Sequence, residues 1–173
     1  MPRRQKKESL KAFFDKLTDE QKACIQEVCV DRAGAYVSCV EEELPGAEIA
    51  FDKFHLVKNF NAVVDKIRRE EWNKARADKD DKNAKVIKGQ RYNLLRRPEN
   101  NTDKQQARLD ELLAMNEPLS KVYVLGEDFR DVLSQNHVGH AKNCLKLWIE
   151  TAISSGIKAM VKFAKSLEKF RTR

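Results

Sequence analysis

Two acids, Asp31 and Asp52, each stand where a short apolar run gives way to a polar turn, and His55 follows the second. The first run contains Ile25, Val28 and Val30; the second follows Pro45-Gly46 and ends in Phe51-Asp52-Lys53-Phe54-His55. A carboxylate at a strand end is held on a rigid element yet open to a ligand, and metal-dependent phosphoryl-transfer sites place their acids there. Asp31 and Asp52 are therefore candidate site acids rather than surface charges. The competing role is structural: Asp is a favoured N-cap at a strand-to-helix turn, and His55 can pack on Phe51 or Phe54. Lys58, Arg68, Arg69, Lys88, Arg91, Arg96 and Arg97 are candidates for contact with DNA phosphates, against the alternative of solvated helix faces. His137, His140 and Cys144 are zinc-competent and helically spaced, but no fourth ligand is evident. Trp72 and Trp148, at helical apolar positions, read as core or interface rather than as base-stacking platforms.

The elements that position these residues follow from the hydrophobic period. Arg3, Arg4, Lys6 and Lys7 come with no apolar anchor beyond Met1, so residues 1 to 7 are expected to form a mobile basic arm. Ser9 to Leu17 has helical spacing, and Thr18-Asp19-Glu20-Gln21 is a capping box. A strand to Val30, a helix from Ala33 to Leu44, a break at Pro45-Gly46 and a strand from Ala47 to Phe51 predict two parallel strands joined by a right-handed crossover. Beyond His55 strand signals all but vanish. Leu56 to Ala77 reads as one long helix, residues 78 to 82 as a solvated joint, and Val86 to Arg97 as a helical stretch ending at Pro98. Asn101 or Thr102 caps the next helix, Pro118 begins another, and two more follow, about Gly139 to Ser154 and Ile157 to Arg171, parted by Gly156.

Composition bounds the rest. At 173 residues the chain suits one medium domain, or one domain carrying a large insertion. No apolar run approaches the roughly 20 residues that cross a bilayer, and no signal core follows Met1, so a soluble intracellular protein without a membrane partner is expected. Cys24, Cys29, Cys39 and Cys144 lack the C-x-x-C spacing and read as reduced core residues. A formal net charge of +7 favours anionic partners, nucleic acid first among them. Two strands cannot complete an α/β sheet, because a parallel pair needs its faces and neighbours covered. The expected fold is thus α/β at the N-terminus, a partial sheet in residues 1–58, with a large all-α region in 59–173, mostly helical overall.

The order of these residues resembles the DDE transposases of the bacterial ISL-three insertion-sequence family. The resemblance rests on Val30-Asp31, Tyr36, Pro45-Gly46-Ala47, Asp52-Lys53-Phe54-His55 and Leu56-Val57-Lys58 in that order. It continues through Val64 to Glu70, Lys88 to Leu95, and Ala141 to Trp148. It implies an RNase H-like fold interrupted by a helical insertion, and a reaction in which two Mg²⁺ or Mn²⁺ ions activate water or a 3′-hydroxyl against a DNA phosphodiester. Asp31 matches the second acid of the family's triad, which implies a metal ligand, while Asp52 and His55 match the Asp-x-x-His motif after it, which implies site support or DNA contact. The first Asp is then expected upstream of Met1 and the Glu downstream of Arg173, so this chain is expected to be an internal piece, inactive alone and with weak metal binding at most. The resemblance further implies DNA partners (transposon ends and target DNA), leaves homo-oligomerisation open, and implies a cytoplasmic, nucleoid-associated location. The alternative is a non-catalytic basic helical protein that binds DNA or a partner transposase.

Overall fold

The computed structural model describes residues 3–30 and 34–171. Helix α1 runs Arg3–Phe14 and α2 runs Asp19–Ala23. The expected arm at residues 3 to 7 is instead the first turns of α1. Arg, Gln, Lys and Glu are good helix formers, and Lys7 Nζ lies 2.7 Å from Glu42 of helix α3, Gly34–Glu43. The capping box of α2 is formed: the Gln21 N–H donates to the Thr18 hydroxyl at 3.2 Å, and the Thr18 N–H donates to the Gln21 side chain at 3.0 Å.

Strands β1, Glu27–Val30, and β2, Glu48–Phe51, pair in parallel, with Glu27 opposite Glu48 and Val30 opposite Phe51. Helix α3 is the crossover between them. It packs against α1, burying Val37, Cys39 and Val40 with Phe14 and Leu44. Lys22 Nζ, 2.9 Å from Glu43, ties α2 to the end of α3. Of the four cysteines, all free thiols, only Cys39 is a core residue; Cys24 and Cys29 are exposed and Cys144 is half-buried. The apolar pattern around Cys24 and Cys29 hid this: Cys24 caps the end of the short helix α2, which buries no residue, and Cys29 lies on a two-stranded sheet that leaves much of its faces open to water.

The chain forms two compact units, residues Met1–Asn59 and Phe60–Arg173. Helix α4, Lys53–Ala77, begins in the first and continues in the second. It starts earlier than the period predicts, because Asp52 caps it. Lys79, with φ of 58°, then turns the chain before α5, Asp81–Ile87, whose cap Asp80 accepts the Asn83 N–H at 3.0 Å. The stretch expected to run helically from Val86 to Arg97 is divided. Gly89 takes φ of 79°, which L side chains rarely adopt, and α6 is only Arg91–Leu95. A 3-10 turn at Pro98–Asn100 leads to α7, Asp103–Met115.

Thr102 caps α7 with a second box, its partner being Gln105. Thr102→Ala should lower stability by about 1 kcal/mol, since the first-turn N–H groups lose their acceptor. Urea unfolding followed by circular dichroism measures this, and an unchanged midpoint would contradict it.

Helix α8, Glu117–Ser134, opens under Asn116, whose side chain accepts the Leu119 N–H at 3.0 Å and donates to Glu71 of α4 at 3.1 Å. Helices α9, Val138–Ser154, and α10, Lys158–Arg171, are parted by Gly156 at φ of 70°. The core of this unit is aromatic. Phe129 stacks on Phe60 with centroids 4.9 Å apart, and Trp148 and Phe163 meet both rings. Trp148 is 3% exposed and its Nε1–H donates to the Leu125 carbonyl at 2.8 Å, which makes it a core residue. Trp72 is half-buried, with the Arg76 guanidinium 5.0 Å from its ring centre.

Candidate functional site

The strand ends and a cluster of arginines carry the candidate chemistry. Asp31 itself lies outside the described residues. Its neighbour Val30 is paired with Phe51, and the Asp52 N–H reaches the Val30 carbonyl at 3.3 Å, so β1 and β2 end side by side. Asp52 Oδ1 accepts the Phe54 N–H at 2.8 Å, and Oδ2 lies 2.6 Å from His55 Nδ1. Asp52 thus both caps α4 and holds His55. The ring of His55 meets Phe54 edge-on at 5.8 Å, and Phe54 is itself exposed to solvent.

The contact with His55, and after it the Phe54 N–H, holds the Asp52 carboxyl below its ordinary value of 3.8. A carboxyl with a depressed folded value stabilises the fold above its ordinary titration range, and that contribution is lost as pH falls through the lower folded value. The NMR titration midpoint of the Asp52 carboxyl should therefore lie below 3.8 and move up in His55→Ala. A midpoint at or above the ordinary value, unmoved by that change, would contradict the contact.

The basic candidates sort differently from their order in sequence. Asp65, one turn into the second unit, is only 5% exposed. Its Oδ1 accepts from Arg68 Nε at 3.0 Å and from Arg68 Nη2 at 2.9 Å, its Oδ2 lies 2.7 Å from Arg69, and Arg91 Nε stands 3.8 Å away. Burial pushes the Asp65 carboxyl up, but the guanidiniums of Arg68, Arg69 and Arg91 outweigh it and hold the group below its usual range. Three of the predicted residues are therefore gathered by an acid that the sequence reading did not single out. Its signal was the Asp-x-x-Arg-Arg spacing, which puts Arg68 and Arg69 on the same helix face as Asp65.

The other basic candidates lie outside that cluster. Arg97 pairs with Glu99 at 3.6 Å, Lys58 and Lys88 are exposed, and Arg96 is half-buried. His140 Nε2 and Cys144 Sγ are 3.5 Å apart. Among the described residues no three His, Cys, Asp or Glu side chains come together as a metal site, the zinc-competent set at His137 included. Among them, too, no helix is long and apolar enough to cross a membrane.

Comparison with known proteins gives the family. A family model described as a transposase, of the DDE ISL-three type, matches residues 1–173. The transposase for insertion sequence element IS1001 of Bordetella parapertussis is 34% identical over 163 residues, covering 94% of this chain and 40% of the relative. The transposase for insertion sequence element IS1557 of Mycobacterium tuberculosis is 32% identical over 184 residues, covering 95% of this chain and 41% of the relative. The chain thus spans about two fifths of the length of the curated relatives it matches. No solved structure matches. With its whole length matched by one family model and two such relatives, the chain belongs to the ISL-three family of DDE transposases.

Proposed function

We propose that this chain is the central part of a transposase catalytic domain that cuts and joins DNA with divalent metal ions, and that residues 1–58 are part of an RNase H-like core carrying a helical insertion in 59–173. The observation that carries this is the parallel pairing that ends β1 and β2 together, directly before Asp31 and Asp52, in a chain matched throughout by a transposase family. Ligands of open α/β sheets gather at the carboxyl ends of their strands. Asp31 is the acid assigned to Mg²⁺ or Mn²⁺; Asp52 and His55 shape the neighbouring turn. Lys58, Lys88, Arg96 and Arg97, with the Asp65 cluster, supply positive charge toward DNA, whether transposon end or target. Bound metal supplies charge stabilisation at the attacking and leaving oxygens.

The chain spans about two fifths of the length of its curated relatives, and this proposal assigns the further acids of the site to the parts of the relatives that it does not cover, so that strand cleavage is expected of the longer protein. The test extends the chain to the length of those relatives and assays cleavage of DNA carrying the element's ends. Cleavage that requires Mg²⁺ or Mn²⁺ is the expected result. A folded, end-binding protein that cleaves with neither ion would overturn the reading in favour of a non-catalytic DNA-binding or transposase-interacting protein.

A further inference from the structure

Around Asp65 one carboxylate faces three guanidiniums, a local excess of two positive charges. A buried carboxylate needs compensation: Arg68 balances its charge through two hydrogen bonds to Oδ1, and Arg69 pairs with Oδ2 at 2.7 Å. In charge, the gathering of Arg69 and Arg91 at the same acid still exceeds what neutralising Asp65 requires. Their exposure differs accordingly. The Arg68 side chain is 16% exposed, whereas those of Arg69 and Arg91 are 66% and 48% exposed. Asp65 takes one close contact from Arg69, and each guanidinium carries five N–H donors in a fixed fork. Arg91 stands between two groups that attract it, with Nε 3.8 Å from Asp65 and its guanidinium carbon 5.8 Å from the ring centre of Tyr92. The outcome is a pair of exposed guanidinium forks drawn to one acid, and a fork placed beforehand loses less entropy in a charge-assisted contact.

We infer that Asp65 is a positioning residue: it sets Arg69 and Arg91 as a phosphate cradle for the DNA backbone, with Arg68 as the buried counter-charge. The cradle rests on the reading of this chain as a DNA-acting protein and specifies where that contact is made. It receives phosphodiester oxygens, each guanidinium offering two parallel donors, and it reads no base sequence.

The test is fluorescence anisotropy of the full chain with a labelled duplex of mixed sequence, titrated over a series of salt concentrations. Arg69→Gln combined with Arg91→Gln should weaken binding roughly tenfold to hundredfold at low salt. It should also flatten the slope of log affinity against log salt by about 2, one counterion release per lost phosphate contact. Arg69→Lys with Arg91→Lys keeps the charge but not the fork, and should recover the slope while leaving affinity several-fold short of wild type.

Asp65→Asn separates positioning from charge counting. It adds a net positive charge, so a cluster acting by charge alone would bind DNA more tightly, whereas loss of the organising carboxylate should weaken binding roughly threefold or more. Tighter binding by a folded Asp65→Asn protein would overturn the positioning role. Should that variant unfold, the paired glutamine and lysine variants at the exposed positions decide the matter: unchanged affinity and slope in the former, or full affinity in the latter, would overturn the cradle. Wild-type binding with these variants silent defeats the cradle and leaves the DNA reading standing, whereas a wild-type chain that fails to bind duplex DNA at low salt defeats both.

Discussion

Asp31→Ala, made in the chain extended to the length of its relatives, should depress Mg²⁺-dependent strand cleavage by about 10³-fold or more. A metal ion at a phosphoryl-transfer site contributes several kcal/mol of transition-state charge stabilisation, and each 1.36 kcal/mol is about tenfold in rate. DNA binding through the Asp65 cluster should change little, since those residues lie in the other unit. The same acid stands just before α3, so loss of a helix cap is the competing account, and capping alone costs about 1 kcal/mol of stability. Asp31→Ser distinguishes them. Serine caps as well as aspartate but is a poor ligand for a hard divalent cation, so it should preserve the thermal midpoint and still abolish cleavage. An active Asp31→Ser protein would reduce Asp31 to a cap. In the 173-residue chain itself, a Mn²⁺ titration watched by NMR should broaden resonances at the ends of β1 and β2, weakly, and Asp31→Ala should remove the effect. Identical broadening in both proteins would argue against Asp31 as a ligand.

Phe129→Ala should cost about 3 to 5 kcal/mol, the usual range for deleting a buried aromatic side chain. Phe129 is 1% exposed, and its ring lies 4.7 Å from Trp148 and 5.7 Å from Phe163, besides its stack on Phe60. Its three partners come from α4, α9 and α10, so one truncation on α8 opens a cavity against three other helices at once. A domain's whole stability is typically about 5 to 15 kcal/mol, and the variant should therefore be partly unfolded near physiological temperature. Urea unfolding monitored by the fluorescence of Trp72 and Trp148 together with circular dichroism measures it. A loss below about 1 kcal/mol would mean that the neighbouring rings close the gap.

Local signals carried most of the fold. Thr18 with Gln21, Asn101 or Thr102 before an apolar period, Pro45-Gly46 and Gly156 each act through their own backbone, and each boundary falls where that chemistry puts it. The parallel strand pair followed from the strand, helix, strand order before His55, and the mostly helical remainder from the loss of strand signals after it. Some of the misplaced pieces depend on surroundings remote in sequence. Arg3 to Lys7 reads as a polar tail until Lys7 meets Glu42 on α3, and the exposure of Cys29 depends on how little covers a two-stranded sheet.

At the candidate site the same division holds. Asp52 and His55 are close in sequence, and their contact could be read from spacing. Asp65 with Arg68 and Arg69 was equally local, but its burial was hidden inside an amphipathic helix, and Arg91 joins it from α6, across a turn set by Gly89. No periodicity reveals which cation a buried acid will recruit from another helix.

The four thiols also make the molecule ready for labelling. Cys29 on β1 is open to maleimide reagents while Cys39 on α3 is shielded, and the half-buried Cys144 on α9 lies in the other unit. With Cys24 and Cys39 replaced by serine and alanine, each unit keeps one thiol, Cys29 or Cys144, at which a single dye reports on that unit by itself.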